Sequence, residues 1–412
     1  MTNPSKKILF ISYDGMTDPL GQSQVIPYLQ GLSTHGYEIF LLSCEKKLAF
    51  IQNKKLVEEL LKGYTIQWLP LSYTKNPPAL STWVDIRKLK KAAARIHRDH
   101  GIDLVHTRPG VPALVGLWLK KKFGIKFLND IREFYADSRV EGGMWNVKNP
   151  LYKKIYQYFK GKEAEGVRQS DAIVCLTHAA EKIIRQWPEY KQTIPLEVIP
   201  CSVDLQLFDP TAIDTAKKIA LKKELNIGEN DLVVSYLGSI GGWYLTAEMM
   251  HFCKLLSDKK PSTKFLFISP HRHEVIVDAA ATYGVDPEKI ITRKAARTDV
   301  PLLLSLSQYS VFFIHPCYSK LSSSPTKHGE IMAMGIPLIT NSGVGDVKEI
   351  VDRYNSGIVL DEFTEAAYTS AVDTILSGHS YDAAGIRDGA KAFYSLESAI
   401  EKYNKIYKII LG

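Results

Sequence analysis

At 412 residues the chain is longer than one hydrophobic core serves, and with 45% hydrophobic and 23% charged side chains it has the composition of a folded globular protein. Two domains of near-equal size are therefore expected and disorder is not. Five cysteines, odd in number and in no metal-ligand spacing, point to buried thiols in a reducing compartment, and neither a signal peptide nor a membrane span, which needs an apolar run of roughly 18 residues, is expected. The net charge of +8 is uneven: residues 1–205 carry about +10 and the remainder about −2.

Apolar, β-branched runs alternate with helix-length amphipathic segments from end to end, the pattern of parallel sheets wrapped by helices. Residues 8–12 read as a strand, and a loop with Gly15, Asp18, Pro19 and Gly21 follows it. Residues 24–34 read as a helix that Gly36 stops before a second strand over 38–43. Further strands are expected at 103–106, 126–130, 171–176 and 196–199, with helices near 83–100, 112–122, 151–168 and 179–186. The turn residues of Pro200-Cys-Ser-Val-Asp204 and Phe208-Asp-Pro210 mark a connection between domains. A second series has strands at 232–237, 264–268, 289–292, 311–314 and 337–340, and helices near 246–256, 274–283, 300–307 and 325–334. Open α/β sheets bind ligands at the carboxyl ends of their strands, so two such domains facing each other imply a site in the cleft between them.

The positive surplus of the first half sits in Arg87-Lys-Leu-Lys-Lys91, in Lys120, Lys121 and Lys122, and in Lys153 and Lys154, beside Trp83, Trp118, Tyr152 and Tyr156. This mixture suits an anionic membrane surface. The same residues also fit the solvated outer faces of helices packed on a sheet. No helix-turn-helix, zinc or RNA-binding signature accompanies the charge, so nucleic acid is not an expected partner.

Chemistry concentrates in Ser324-Pro-Thr-Lys-His-Gly-Glu-Ile-Met-Ala-Met-Gly-Ile-Pro337. Ser324 reads as an N-cap, Pro325 as the first helical residue, and Gly335 with Pro337 as the stop. The helix then begins almost at Lys327, whose charge adds to the anion-binding N-terminus, and Thr326 lies beside it. Glu330, three residues on, shares that face, and as a pure acceptor it matches hydroxyl donors such as those of a ribose. Read alone, the stretch is equally a capped helix with a solvated lysine and glutamate.

Four other loops follow strand ends. Asp14 to Ser23 is neither G-x-G-x-x-G nor a P-loop, which counts against a nicotinamide dehydrogenase or a P-loop hydrolase, while Gly21 permits close approach of a backbone to a ligand. Asn129-Asp-Ile-Arg-Glu-Phe-Tyr-Ala-Asp-Ser-Arg139 offers Asp130 or Arg132 for a sugar hydroxyl or reacting oxygen. Asp137 and Glu141, with Asp18 and Arg108, are the acceptor-side candidates; a structural salt-bridged loop is the plain alternative. Gly238-Ser-Ile-Gly-Gly-Trp-Tyr244 has small residues, Gly238 and Ser239 among them, that admit phosphate oxygens near the backbone, with Trp243 or Tyr244 as a wall. Arg293, Lys294 and Lys320 supply cations for a base or phosphate, or simply face solvent. His271 and His273 lack further ligands at metal spacing. There is no Gly-x-Ser-x-Gly elbow and no Cys/His signature. The implied reaction is departure of a nucleoside diphosphate, stabilised by helix N-termini and cations.

The chain resembles retaining glycosyltransferases of the GT-B fold, family 4, also called group 1. The matching segments span nearly the whole length: Gly21-Gln-Ser-Gln24, Glu163 before Ser170-Asp171, Val198 to Asp204 with Phe208, the Ser324–Pro337 motif, Asn341 to Asp346, and a closing helix over 394–411. The resemblance implies that Glu330 binds the donor ribose, Lys327 the diphosphate, and that the Gly21 loop lies across the cleft. It also implies domains of 1–203 and 204–391, with 392–412 returning to the first. Three departures stand out: Ser322 replaces a second carboxylate, Gly238 to Tyr244 lack the family's Arg and Lys, and no histidine accompanies Asn129-Asp130.

The expected protein is an α/β glycosyltransferase of two Rossmann-like domains, moving a sugar from a UDP- or GDP-sugar to a hydroxyl acceptor, lipid-linked or a cell-surface glycan precursor. Retention of configuration, no metal and no cofactor are expected. The catalytic set is Asp130, Arg132, Lys327 and Glu330, and the donor set is Gly21, Gly238, Ser239, Arg293, Lys320, Thr326, Lys327 and Glu330. Location is expected to be cytoplasmic, with peripheral contact to the inner face of an anionic membrane. The competing readings are a non-catalytic GT-B partner, an epimerase or a phosphorylase.

Overall fold

The computed structural model describes residues 5–76, 80–270 and 272–412. The chain divides into two compact units, one of residues 1–200 with 396–412 and one of residues 201–395.

In the first unit seven parallel strands form one sheet: β1 (Lys6–Ser12), β2 (Tyr37–Glu45), β3 (Ile66–Ser72), β4 (Leu104–Thr107), β5 (Lys126–Ile131), β6 (Ala172–Cys175) and β7 (Leu196–Val198). Their order is β3-β2-β1-β4-β5-β6-β7. The direction of progression reverses between β1 and β4, which is where open sheets of this kind leave a crevice. Eight helices connect the strands: α1 (Pro19–Gln24), α2 (Ile26–Thr34), α3 (Lys47–Leu61), α4 (Leu80–His100), α5 (Val111–Phe123), α6 (Tyr135–Glu141), α7 (Pro150–Gln169) and α8 (His178–Gln186).

Both sheet faces are covered, so the strands read as continuous apolar runs rather than alternating ones. In β1, Ile8 and Phe10 join one core while Leu9 and Ile11 join the other. Helix boundaries follow local chemistry. Asn149 caps α7 by accepting from the Leu151 N–H ahead of which Pro150 sits, Thr177 caps α8 through the Ala180 N–H, and left-handed Gly124 ends α5. The helix expected over 24–34 is broken at Val25, because Pro27 in the first turn of α2 cannot donate back to the preceding helix.

The second unit repeats the plan with α9 (Thr215–Glu224), β8 (Leu232–Leu237), α10 (Thr246–Lys259), β9 (Thr263–Ile268), α11 (His273–Thr282), β10 (Ile290–Arg293), α12 (Val300–Leu304), β11 (Tyr309–Val311), α13 (Thr326–Ala333), β12 (Leu338–Asn341), α14 (Val347–Tyr354), β13 (Gly357–Leu360), α15 (Glu365–Leu376) and α16 (Ala383–Tyr394). Its six parallel strands run β10-β9-β8-β11-β12-β13, again a doubly wound order. The segment 201–203 belongs to this unit, since the Cys201 N–H donates to Ser324 Oγ and the Val203 N–H to the Tyr394 carbonyl.

The last helix, α17 (Leu396–Leu411), belongs to the first unit, and a break at Ser395 separates it from α16. Ala399, Tyr403, Ile406, Tyr407 and Ile410 enter the core that holds Ile8, Phe10, Ile39 and Leu41. Gly31 of α2 lacks the side chain that would collide with Ile400, so the two helices approach closely.

Two strands escape the sequence reading, β3 and β13, and both are sheet edges. β3 carries Pro70 in its interior, tolerated because only β2 lies beside it, and β13 is a short strand that opens on Gly357 at φ +149°. All five cysteines are free thiols, four of them buried. Among the described residues no helix is long and apolar enough to cross a membrane.

Candidate functional site

The second unit assembles its polar groups at the carboxyl end of β8. Lys327, in the first turn of α13, is only 6% exposed, and its Nζ lies 3.8 Å from the Tyr244 ring centroid and 4.3 Å from that of Tyr236. It donates to Tyr236 Oη at 3.2 Å, and that hydroxyl in turn donates to the Ser239 carbonyl. Gly238 makes room for this arrangement: its φ is +116°, and a Cβ there would stand 2.9 Å from Lys327 Nζ. Burial among aromatic rings pushes the Lys327 ammonium down to about 7, against the pull of Glu330.

Glu330 is also 6% exposed and shares that face of α13. Arg297, in the turn before α12, donates from Nη1 to Glu330 Oε1 at 2.7 Å. Burial raises the Glu330 carboxyl, while Arg297 and then Lys327 pull it back. The opposite face of α13 is structural. His328 Nδ1 meets the Tyr394 hydroxyl at 3.0 Å, and burial holds its imidazole neutral, down to about 3.

Ser324 does not cap α13. Its buried Oγ accepts from the Cys201 N–H at 3.2 Å, Pro325 takes the capping position, and the helix begins at Thr326, which is half-buried. Ser322 is turned inward, donating to the Ser319 carbonyl at 2.7 Å. Lys320 is 8% exposed and lies over the Trp243 ring at 3.7 Å. Arg293 is not brought into this cluster: at the end of edge strand β10 it pairs with Glu224 at 3.0 Å, and Lys294 is exposed.

The first unit holds a second polar cluster at its sheet's switch point. Asp130, 2% exposed, accepts from Tyr403 Oη at 2.8 Å and Arg132 Nη1 at 3.4 Å, and lies 3.3 Å from His106 Nε2. His106 Nδ1 in turn meets Tyr407 Oη at 2.7 Å. Burial alone would raise the Asp130 carboxyl, but Arg132 and His106 hold it down at about 2, so it is a carboxylate at neutral pH. Its Oδ1 has no hydrogen-bond partner, and with Gln24, Tyr28, Arg108 and Arg132 it lines a cavity of about 10 Å³. Arg108 donates to the Gln24 carbonyl at 3.3 Å and lies 3.6 Å from Asp14.

Other expected residues are tied elsewhere. Asp137 accepts from Lys160 at 2.8 Å and from Tyr156 Oη at 2.9 Å, binding α6 to α7, and Asp18 pairs with Lys46 at 2.8 Å. Gly21 is required by its own loop, since a Cβ would run into the Gly15 carbonyl and Met16 Cα. That packing by itself requires a glycine here. His271 lies outside the described residues, and His273 Nε2 meets the Ser269 carbonyl at 2.9 Å. Among the described residues no group of three His, Cys, Asp or Glu could hold a metal. Sequence reasoning missed Arg297, Tyr236, His106 and Tyr403. Only Arg297 carried a signal, its place just beyond a strand's carboxyl end.

Residues 24–207 match the model described as Glycosyltransferase Family 4, and residues 217–391 match Glycosyl transferases group 1. The chain belongs to the group 1, family 4 glycosyltransferases. Solved structures share the fold over its full length. Sucrose-phosphate synthase from Thermosynechococcus elongatus superposes with a TM-score of 0.75 at 15% identity, covering 98% of each chain. HepE from Anabaena, in complex with UDP and glucose, gives 0.71 at 12% identity over 98% of this chain and 99% of its own. WaaG, a glycosyltransferase involved in lipopolysaccharide biosynthesis, gives 0.69 at 12% over 98% and 100%. The likeness at these identities is one of GT-B fold. No curated protein matches the sequence.

In this glycosyltransferase the aromatic surroundings of Lys327 set a measurable property. In a lysine-selective NMR titration of the ligand-free protein, one ammonium is expected to titrate near pH 7 and to vanish in Lys327→Met. A spectrum in which every lysine titrates above pH 10 would contradict the burial argument.

Proposed function

We propose that this glycosyltransferase takes its sugar from a UDP- or GDP-sugar, binding the diphosphate at Lys327 and the ribose at Glu330, and passes it to a hydroxyl acceptor with retention of configuration. The observation that carries the reading is the pairing, within one turn of α13, of an ammonium held among aromatic rings with a carboxylate held by an arginine. The N–H groups at the start of α13 and Lys327 favour negative charge, and Glu330 accepts from ribose hydroxyls. HepE, which shares the fold, has been solved with UDP and with UDP-glucose.

Catalysis in this reading is electrostatic. The leaving diphosphate is stabilised by Lys327, with Lys320, Thr326 and the Ser239 N–H as further donors, so no metal is required. The departing phosphate oxygen takes the acceptor proton on the same face of the sugar, giving retention. Asp130, which Arg132 keeps charged, is the catalytic carboxylate proposed for the first unit. One observation favours a non-catalytic nucleotide-sugar-binding role: Ser322, which offers no carboxylate to the sugar.

The Lys327 ammonium sets the pH dependence. Free, it titrates near 7; against a diphosphate its folded pKa rises. Binding between about pH 7 and 9 therefore takes up a proton, and affinity weakens as pH rises. Calorimetry in buffers of different ionisation enthalpy should show this uptake, and Lys327→Met should remove it. Glu330→Ala and Lys327→Ala should each lower transfer at least 100-fold, about 2.7 kcal/mol. Wild-type protein that transfers no sugar from any UDP- or GDP-sugar would favour the non-catalytic role.

The acceptor we propose is lipid-linked, a precursor of cell-surface glycan, reached by peripheral contact with the anionic inner face of the cell membrane. Supporting this, the basic unit exposes Trp83, Met144 and Leu151, each more than half exposed, with the Arg87 guanidinium 3.6 Å over the Trp83 ring. Flotation with liposomes should depend on anionic lipid and weaken several-fold in Trp83→Ala/Arg87→Gln. Flotation indifferent to lipid charge would contradict the membrane assignment.

A further inference from the structure

The sequence placed Glu330 in the site but not the residue that governs it. Arg297 reaches Glu330 from a different element, 33 positions earlier in the chain, with Nη1 2.7 Å from Oε1. Its guanidinium also rests 5.4 Å from the ring centroid of Phe208, a fully buried residue whose carbonyl accepts from Arg387. The Arg297 side chain is 32% exposed while that of Glu330 is 8% exposed. The carboxylate is therefore the desolvated partner and the guanidinium the hydrated one.

That asymmetry decides which group depends on the other. An arginine at the edge of solvent stays charged on its own. A carboxylate removed from water does not, and without a neighbouring cation it takes up a proton. Two charged groups bear on Glu330: Arg297 from the turn before α12 and Lys327 from its own helix. Arg297 is the one in direct hydrogen-bond contact, whereas Lys327 points its ammonium to Tyr236. His328, on the same helix, is neutral and turned to Tyr394.

We propose that Arg297 is the positioning residue of the ribose carboxylate: by binding Oε1 it keeps Glu330 ionised and leaves Oε2 to accept from the ribose hydroxyls. A protonated Glu330 loses acceptor capacity at the oxygen that carries the proton, and rotation about its last torsion is no longer restrained. The proposal rests on the reading of Glu330 as the ribose contact.

The test measures, from pH 6 to 9, the ratio of affinities for a nucleoside diphosphate and its 2′,3′-dideoxy analogue, using whichever of UDP and GDP binds. The ratio cancels the pH effect of Lys327, which bears on the diphosphate common to both ligands. Wild type should prefer the ribose form about tenfold or more throughout, because hydrogen bonds to a carboxylate are among the stronger kind. Arg297→Gln should lose that preference at pH 6 and regain it toward pH 9 as Glu330 ionises, and Arg297→Lys should retain most of it. Glu330→Gln should show none at any pH. If Arg297→Gln discriminates as wild type does at pH 6, or weakens both ligands equally at every pH, the positioning role is wrong while the ribose reading stands. If Glu330→Gln discriminates like wild type, the ribose reading fails and the proposal falls with it.

Discussion

The second unit of this protein depends on keeping two opposite charges out of water within one turn of α13. Lys327 and Glu330 are each 6% exposed, and an ion in such surroundings is stable only where the protein replaces its lost hydration. Neither is satisfied mainly by the other. The ammonium is compensated by the faces of Tyr236 and Tyr244 and the Tyr236 hydroxyl, and the carboxylate by the guanidinium of Arg297. Much else follows from this. Gly238, at φ +116°, takes a backbone conformation that other residues rarely adopt and leaves room for Lys327 Nζ, 2.9 Å from where a Cβ would stand. Compensation by aromatic rings is incomplete, which leaves the lysine near 7 and ready to gain charge when an anion arrives.

The first unit meets the same constraint differently. Asp130 is buried and compensated by the buried guanidinium of Arg132 and by the hydrogen-bond donors around it, and it stays ionised. Two of the groups around it, Tyr403 and, through His106, Tyr407, come from α17 at the far end of the sequence. The terminal helix is thus part of this cluster as well as of the core. Its period of about four residues brings both tyrosines to one face, against the switch point of the sheet.

Much of the architecture is legible in the sequence because buried parallel strands are long apolar runs and their helices are amphipathic. What escapes is two of the four sheet edges, together with helices such as α3, α9, α14 and α15. Pro70 in β3 and the Gly357 start of β13 are features that argue against a central strand, and these two strands are not central. Within the site, Lys327 and Glu330 are legible because a helix start and its i, i+3 spacing are local signals. Arg297, Tyr236 and Tyr403 are not, because their roles arise from contacts 33, 91 and 273 residues apart. Ser324 shows the converse failure: it has the chemistry of a cap, but a backbone N–H 123 residues away takes its oxygen. Gly21 is required by its own loop, a packing contact that no local sequence signal shows.

In the proposed function the second unit binds the donor nucleotide through the start of α13 and the loop after β8. Amide hydrogen exchange with and without saturating UDP or GDP tests it most directly. The strongest protection is expected in residues 236–242 and 326–331, lost in Glu330→Ala at the same ligand concentration. Protection confined to the first unit, or a nucleoside diphosphate that binds without slowing exchange at α13, would contradict it.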